Sequence, residues 1–246
     1  MRALSPESRG SRPPFTLGGL CRLEGAFAVA CRDGVFALNP DDFGIRGLLA
    51  RPHVSFDVAP PNDLGVHPKG HVLIATADNL ERCPTGGLFA LVQGGMQRIA
   101  GGYTVGNGPA FSPDGCTMYV ADSARGFIYA YDWDEKRLSA INQRVFASIP
   151  ESRGLPDGLA VDAEGGIWNA RWGGASVVRY APSGAETAVI ELPARRVTGC
   201  AFGGSSLKTL YITTACLKDG REDLGGLLFE ADVGIAGCQA PAGVIY

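Results

Sequence analysis

Charge is scarce in this chain. Asp, Glu, Lys and Arg make up 19% of its 246 residues, below the usual quarter, and they never gather into a long block. The net charge is −3 and no basic stripe is present, so no nucleic-acid partner is expected. Arg195-Arg196 is too short to count as one and reads as a solvated turn. Long apolar runs are missing too. Nothing approaches the ~18 residues of a membrane span, and the N-terminal MRALSPESRGSRPP lacks the apolar core of a signal peptide. No membrane partner is expected. The seven cysteines include no C-x-x-C pair, and their odd number suits reduced thiols in a cytoplasmic protein. Sustained 3.6-residue periodicity with caps is absent, which leaves an all-β class. H-E-x-x-H, G-x-S-x-G, P-loop and G-x-G-x-x-G signatures are all missing. The three histidines, His53, His67 and His71, read as surface turn residues.

What the chain has is glycine. Its 35 glycines are about twice the usual share of ~7%. Together with 46% hydrophobic residues, they suit many short strands joined by tight turns. Gly154–Gly174, GLPDGLAVDAEGGIWNARWGG, shows the plan: a Pro-Asp-Gly turn, a strand, a second turn and another strand. Its strand-turn-strand part recurs as AFSPDGCTMYVADS at 110–123, GVHPKGHVLIATAD at 65–78 and AFGGSSLKTLYITTA at 201–215. A weaker copy, LEGAFAVACRDGVFAL, lies at 23–38. Comparable positions (Ala28, Leu73, Tyr119, Trp168, Tyr211) fall about 45 residues apart, the length of one four-stranded propeller blade. Residues 17–246 therefore read as one propeller domain. Residues 1–16, rich in Ser, Arg and Pro, read as a disordered or loosely packed tail and a poor closing strand. Pro60-Pro61 reads as lying outside any central strand.

Propellers carry functional groups where each blade's innermost strand begins, around the central channel. Three repeats place Asn or Asp there: Asn62 before Leu64-Gly65-Val66, Asn107 before Ala110-Phe111, and Asp157 before Leu159-Ala160-Val161. The neighbouring candidates are Asp63, Gly108, Gly158 and Thr198. Asn-Gly and Asp-Gly are ordinary turn dipeptides. Recurrence at one repeat position is what points to a site, and oxygen ligands of this kind suit Ca²⁺, Mg²⁺ or Mn²⁺. Asp114-Gly115 sits between strands and reads as a turn. Trp168 and Trp172 read as blade packing, with a substrate platform as the other reading.

The ordered motifs NDLGVHPKG, NGPAFSPDGCTMYVADS, GLPDGLAVDAEGGIWNARWGG, RVTGCAFGG, LKTLYITTA and GGLLF resemble the SMP-30/gluconolactonase/luciferin-regenerating-enzyme family over about residues 20–237. The resemblance implies a six-bladed β-propeller. It also implies a channel cation (Ca, Zn, Mn or Mg) held by a Glu, an Asn and an Asp, the last two matching Asn107 and Asp157. Asn62 matches a pocket Asn that binds substrate. The implied activity is metal-dependent hydrolysis of sugar lactones, with a metal-activated water opening the ring and Asp157 in a catalytic role. Two departures stand out. The family's Glu-Gly-Pro motif has no counterpart beyond Leu23-Glu24-Gly25-Ala26, to which the role is not transferred, and the family's pocket Arg is replaced by Pro60. The first blade is thus expected to be incomplete. The alternative is a non-catalytic propeller that binds a small molecule or a protein. Related six-bladed propellers that hydrolyse organophosphates, or resemble strictosidine synthase, give a third reading.

Overall fold

The structure is a computed structural model and describes residues 1–4, 17–50, 59–93, 95–216, 224–239 and 241–245. His53 lies outside the described residues. A short strand, β1 (Arg2–Leu4), opens the chain. The first blade follows with β2 (Leu17–Leu23), β3 (Ala26–Cys31), β4 (Gly34–Leu38) and β5 (Ile45–Ala50). The second contains β6 (Pro61–Val66), β7 (Val72–Thr76), β8 (Gly86–Val92) and β9 (Gly95–Tyr103). The third contains β10 (Gly106–Phe111), β11 (Thr117–Asp122), β12 (Phe127–Asp134) and β13 (Ser139–Ser148). The fourth contains β14 (Leu155–Val161), β15 (Ile167–Trp172), β16 (Ser176–Tyr180) and β17 (Glu186–Glu191). The last has β18 (Val197–Gly203), β19 (Thr209–Thr214) and β20 (Leu228–Asp232), with β1 as its outer strand.

Among the described residues the propeller has five four-stranded sheets, not the six that the family resemblance implies. Nor is the first sheet incomplete: the weak repeat at 23–38 belongs to a full blade, β2 to β5. The repeat itself counts five copies, and the sixth came only from the resemblance. The twelve residues 5–16 between β1 and β2 are too few for a blade of ~45 residues. Arg2–Leu4 lies in a segment that reads as a loose tail, yet it pairs antiparallel with β20, Arg2 opposite Glu230 and Leu4 opposite Leu228. Three residues are too few to show a period, and this pairing covers what would be an open sheet edge.

Each sheet interface is an apolar layer. Leu23, Ala28 and Val35 meet Leu64, Val72 and Ile74 between the first two blades. The pattern repeats between blades two and three, three and four, and four and five, the last with Trp168 and Ala170 against Leu210, Ile212 and Phe229. Burying one such Leu, Ile or Phe contributes about 1.5–3 kcal/mol. Among the described residues no core joins blade five to blade one. Val29, Cys31 and Leu38, on the far face of blade one, form a cluster of their own. The far face of blade five carries the cross-strand row Ala201, Tyr211, Glu230 and Arg2.

The comparable positions Ala28, Leu73, Tyr119, Trp168 and Tyr211 all lie on the second strand of a blade. Each faces a small residue of the innermost strand: Cys21, Gly65, Ala110, Ala160 and Ala201. Crowding around the axis explains the size limit. A Cβ on Gly65 would lie 1.8 Å from the Pro109 carbonyl oxygen. At the far end of the channel, each innermost strand turns into the second, as at Pro68-Lys69-Gly70, Pro113-Asp114-Gly115 and Asp162–Gly166. The chain after β20 runs beneath this end. The Ala163 N–H donates to the Ala236 carbonyl (2.8 Å), Gly243 N–H to Arg22 (2.7 Å) and Val244 N–H to Gly70 (2.8 Å). No helix among the described residues is long and apolar enough to cross a membrane, and the seven cysteines form no disulfide.

Candidate active site at the channel mouth

All five innermost strands break register at the same place. The shifts lie between Leu17 and Leu20, Pro61 and Asp63, Asn107 and Ala110, Pro156 and Leu159, and Val197 and Gly199. A β-bulge inserts an unpaired residue and re-aims the side chains beside it. The Pro-Asp-Gly segment that reads as a turn is thus a bulge within β14. Pro61, which reads as outside the strand, is its first residue, where no ladder donor is needed. Glycine serves bulges and turns alike. Gly108 has φ +80°, a value that side chains with a Cβ rarely adopt.

The bulges bring Asn62, Asn107 and Asp157 to one end of the channel. The Asn62 amide Nδ2 donates to Asn107 Oδ1 at 2.9 Å and to the Gly106 carbonyl at 3.0 Å. Asn107 Nδ2 donates to Ser123 Oγ at 2.7 Å. These bonds fix Asn107 with its oxygen toward Asn62, and that oxygen keeps a second lone pair. The Asn169 amide donates to the Asp157 carbonyl at 2.9 Å and steadies the next bulge. Blade one presents Gly18-Gly19 at its bulge, pressed so closely on Asn62 and Asp63 that Cβ atoms would lie 2.0 Å from the Asn62 carbonyl oxygen and 2.4 Å from the Leu64 nitrogen. Blade five presents Thr198, whose hydroxyl meets Thr213 at 2.8 Å.

Asp63, passed over in favour of Asn62, also belongs here. Its carboxylate accepts the Leu64 N–H and, across the blade boundary, the Gly108 N–H, both at 2.8 Å. Strand alternation would send Asn62 and Asp63 to opposite faces. The bulge lets both reach blade three, which is why periodicity alone does not reveal Asp63. Burial pushes the Asp63 carboxyl up from 3.8 to about 7, against the pull of its two N–H bonds. Burial also raises Asp157 well above the carboxylate range, with the Asp63 charge adding to it. The two carboxyls are thus coupled, and ionising one makes ionising the other harder. Cys21 and Cys200 border the same space. Both thiols are pushed up to about 12, chiefly by burial, so they are not nucleophiles at neutral pH.

The donor set fits an oxygen-seeking divalent cation. Asn107 offers an oriented amide oxygen, and Asp157 and Asp63 offer carboxylates whose charges oppose one another. A second cluster lies at the far end, where His67, His71 and Glu135 hold ligand atoms within 4.8 Å of one another. Its hydrogen bonds favour another role. His67 Nδ1 accepts the Lys69 N–H at 3.1 Å, which leaves Nε2 to donate to the Gly115 carbonyl at 3.1 Å. Lys69 Nζ is 3.0 Å from Glu135. A metal-ligating His normally donates through its other nitrogen, and here that nitrogen is an acceptor. His67 is also buried among Phe111 and Trp133 rather than on the surface. Trp168 is blade packing: it is buried, with Nε1 donating to Asp162 at 2.8 Å. Asp114 caps its turn through the Cys116 N–H at 2.9 Å.

Comparison with known proteins follows the same lines. The chain resembles pentonolactonase XacC of Haloferax volcanii at 35% identity over 186 residues, 72% of this chain and 63% of that protein. It resembles 6-deoxy-6-sulfogluconolactonase of Pseudomonas putida at 35% over 228 residues, 89% of this chain and 77% of that protein. Regucalcin of Xenopus laevis is 30% identical over 238 residues, covering 90% and 78%. Among solved structures, a calcium-binding regucalcin from Agrobacterium tumefaciens superposes with a TM-score of 0.84 at 27% identity, over 94% of this chain and 81% of that one. With that neighbour, the oxygen-rich donor set points to a divalent cation. The model of the SMP-30/Gluconolactonase/LRE-like region matches residues 6–216. The chain belongs to the SMP-30/gluconolactonase/LRE-like family.

Proposed function

We propose that this protein hydrolyses sugar lactones with the aid of a divalent cation held at the channel mouth. The observation that carries the reading is that Asn62 bonds Asn107 across one blade boundary, with Asp157 at the corresponding bulge of the next blade and within reach of the Asp63 charge. The relatives named as pentonolactonase and sulfogluconolactonase support it. Asn107 and Asp157 would hold the cation, which when bound supplies Lewis acidity toward a carbonyl oxygen. Asn62 spends both amide hydrogens on Asn107 and Gly106, so its own oxygen is left to accept a substrate hydroxyl. Asp157, whose carboxyl burial raises, would accept a proton from the attacking water in its ionised form, which a bound cation would favour. Gly18-Gly19 leaves blade one without a side chain at the ring, so binding weaker than that of a three-ligand site is expected. The test is lactone turnover with Ca²⁺, Zn²⁺, Mn²⁺ or Mg²⁺ after chelation. Asp157→Asn should lower kcat/KM by at least ~100-fold, the usual worth of a positioned base. Wild-type turnover in Asp157→Asn would sink the assignment.

The second reading is a propeller that binds a ligand without turning it over. The absence of a side chain at the blade-one bulge and Pro60 beside Asn62 favour it. It predicts ligand-dependent stabilisation with no lactone hydrolysis under any of the four cations.

A further inference from the structure

Arg196 reads from the sequence as part of a solvated turn. In the structure it stands just before β18 and pairs its backbone with Trp172, the last residue of β15. Its guanidinium carbon lies 4.9 Å from the centre of the Trp172 ring, within cation–π distance. Both side chains are half-buried. Arg125, Arg137, Arg144, Arg153 and Arg179 each meet a carboxylate. Arg196 meets none among the described residues. Its charge is held in place by an aromatic face, and its outer N–H groups remain to meet a ligand.

The position is beside the candidate site. Trp172 pairs with Leu155, two residues before Asp157. A Cβ on Gly158 would lie 2.9 Å from the Thr198 carbonyl oxygen, two residues beyond Arg196. Two strand residues span about 6.6 Å, roughly the width of one sugar ring. The equivalent places before the other bulges hold Pro60, Val105 and Leu155. Among these four equivalent positions Arg196 is the only cation.

We propose that Arg196, seated on Trp172, forms an anion subsite at the channel mouth that favours lactones carrying an oxyanion substituent over neutral ones. The planar guanidinium offers two parallel N–H groups to paired oxygens. This deepens the lactonase reading and rests on it for turnover. The test compares glucono-1,5-lactone with its 6-phosphate, on wild type, Arg196→Gln and Arg196→Lys. The ratio of the two kcat/KM values should fall about 10- to 100-fold in Arg196→Gln, mostly through KM, as loss of a charged hydrogen-bond pair implies. Arg196→Lys should fall between, because it keeps the charge and loses the fork. Added salt should lower the wild-type ratio and leave that of Arg196→Gln little changed. A ratio unaltered in Arg196→Gln overturns the subsite and leaves the lactonase reading intact. A second readout does not need turnover: calorimetric binding of 6-phosphogluconate, the ring-opened acid. Binding weakened tenfold or more by Arg196→Gln, in a protein that opens no lactone, keeps the subsite and removes the lactonase reading. Equal binding to wild type and variant, or binding to neither, overturns the subsite.

Discussion

Replacing Asp63 by Asn should change how stability depends on pH. Asp63 has a carboxyl pushed from 3.8 to about 7 by burial. Below about pH 4 it is protonated in both folded and unfolded chains and costs nothing. Between 3.8 and about 7 the unfolded chain releases the proton and the folded one keeps it. Stability is therefore fully present at low pH and is lost as pH rises through this window. The shift of about 3.2, taken as 7 minus 3.8, corresponds to about 4 kcal/mol at 1.36 kcal/mol per unit. In a chain of this size that is roughly 10 °C of melting temperature. His67, whose pKa burial lowers, works the other way: it loses stability as pH falls below 6.5. The comparison of wild type with Asp63→Asn cancels that contribution. The variant carries a pH-independent cost of about 1–3 kcal/mol, because its amide nitrogen cannot accept the second of the Leu64 and Gly108 N–H bonds. The assay is urea unfolding of chelated protein from pH 4 to 8. Wild type should lose stability relative to Asp63→Asn by up to about 4 kcal/mol across the range, and a divalent cation at pH 8 should restore part of the loss. Parallel pH profiles for the two proteins would refute the reasoning.

Other consequences follow from the geometry. Asp162 is fully buried and accepts hydrogen bonds from Gly166 and Trp168 at 2.8 Å and from Arg179 at 2.7 Å. Asp162→Ala should cost about 1–3 kcal/mol in urea unfolding, because it leaves the buried Gly166 and Trp168 N–H groups without their acceptor and Arg179 with Glu164 alone as its carboxylate partner. Gly65→Ala, with a Cβ aimed 1.8 Å from a backbone oxygen, should destabilise by about 1–3 kcal/mol or more. Gly47→Ala, with nothing within 4 Å, should be neutral or stabilising by under about 1 kcal/mol in the same measurement. Removing Arg2–Leu4 should uncover the β20 edge and promote concentration-dependent association, read by light scattering.

The repeat was legible because each blade carries a strand-turn-strand signal strong enough to count, and the count of five copies is what the structure shows. The sixth blade came from family likeness, which says nothing about how many repeats one chain retains. Asn62, Asn107 and Asp157 were legible because they recur at one place in the repeat. Their surroundings were not, since a bulge and a turn demand the same residues. Gly108 and Gly158 read as turn glycines until the strand pairing on both sides is seen. Asp63 was a neighbouring candidate without a role, because alternation sends neighbours to opposite faces and only the bulge suspends that rule. Arg196 looked like a solvated charge because nothing in the sequence places Trp172 beneath it.

The stretch after β20 has a mechanical consequence. Among the described residues the five blades share four apolar joints, and the blades flanking the remaining boundary are steadied by whatever spans them. Residues 236–239 and 241–245 act as a bowstring, tied to blade four at Ala163 and to blades one and two at Arg22 and Gly70. Asp157 rides on the blade held at one end of that string, and Asn62 on a blade held at the other. The string's length therefore helps set how far apart the two halves of the site stand, from the opposite end of the channel.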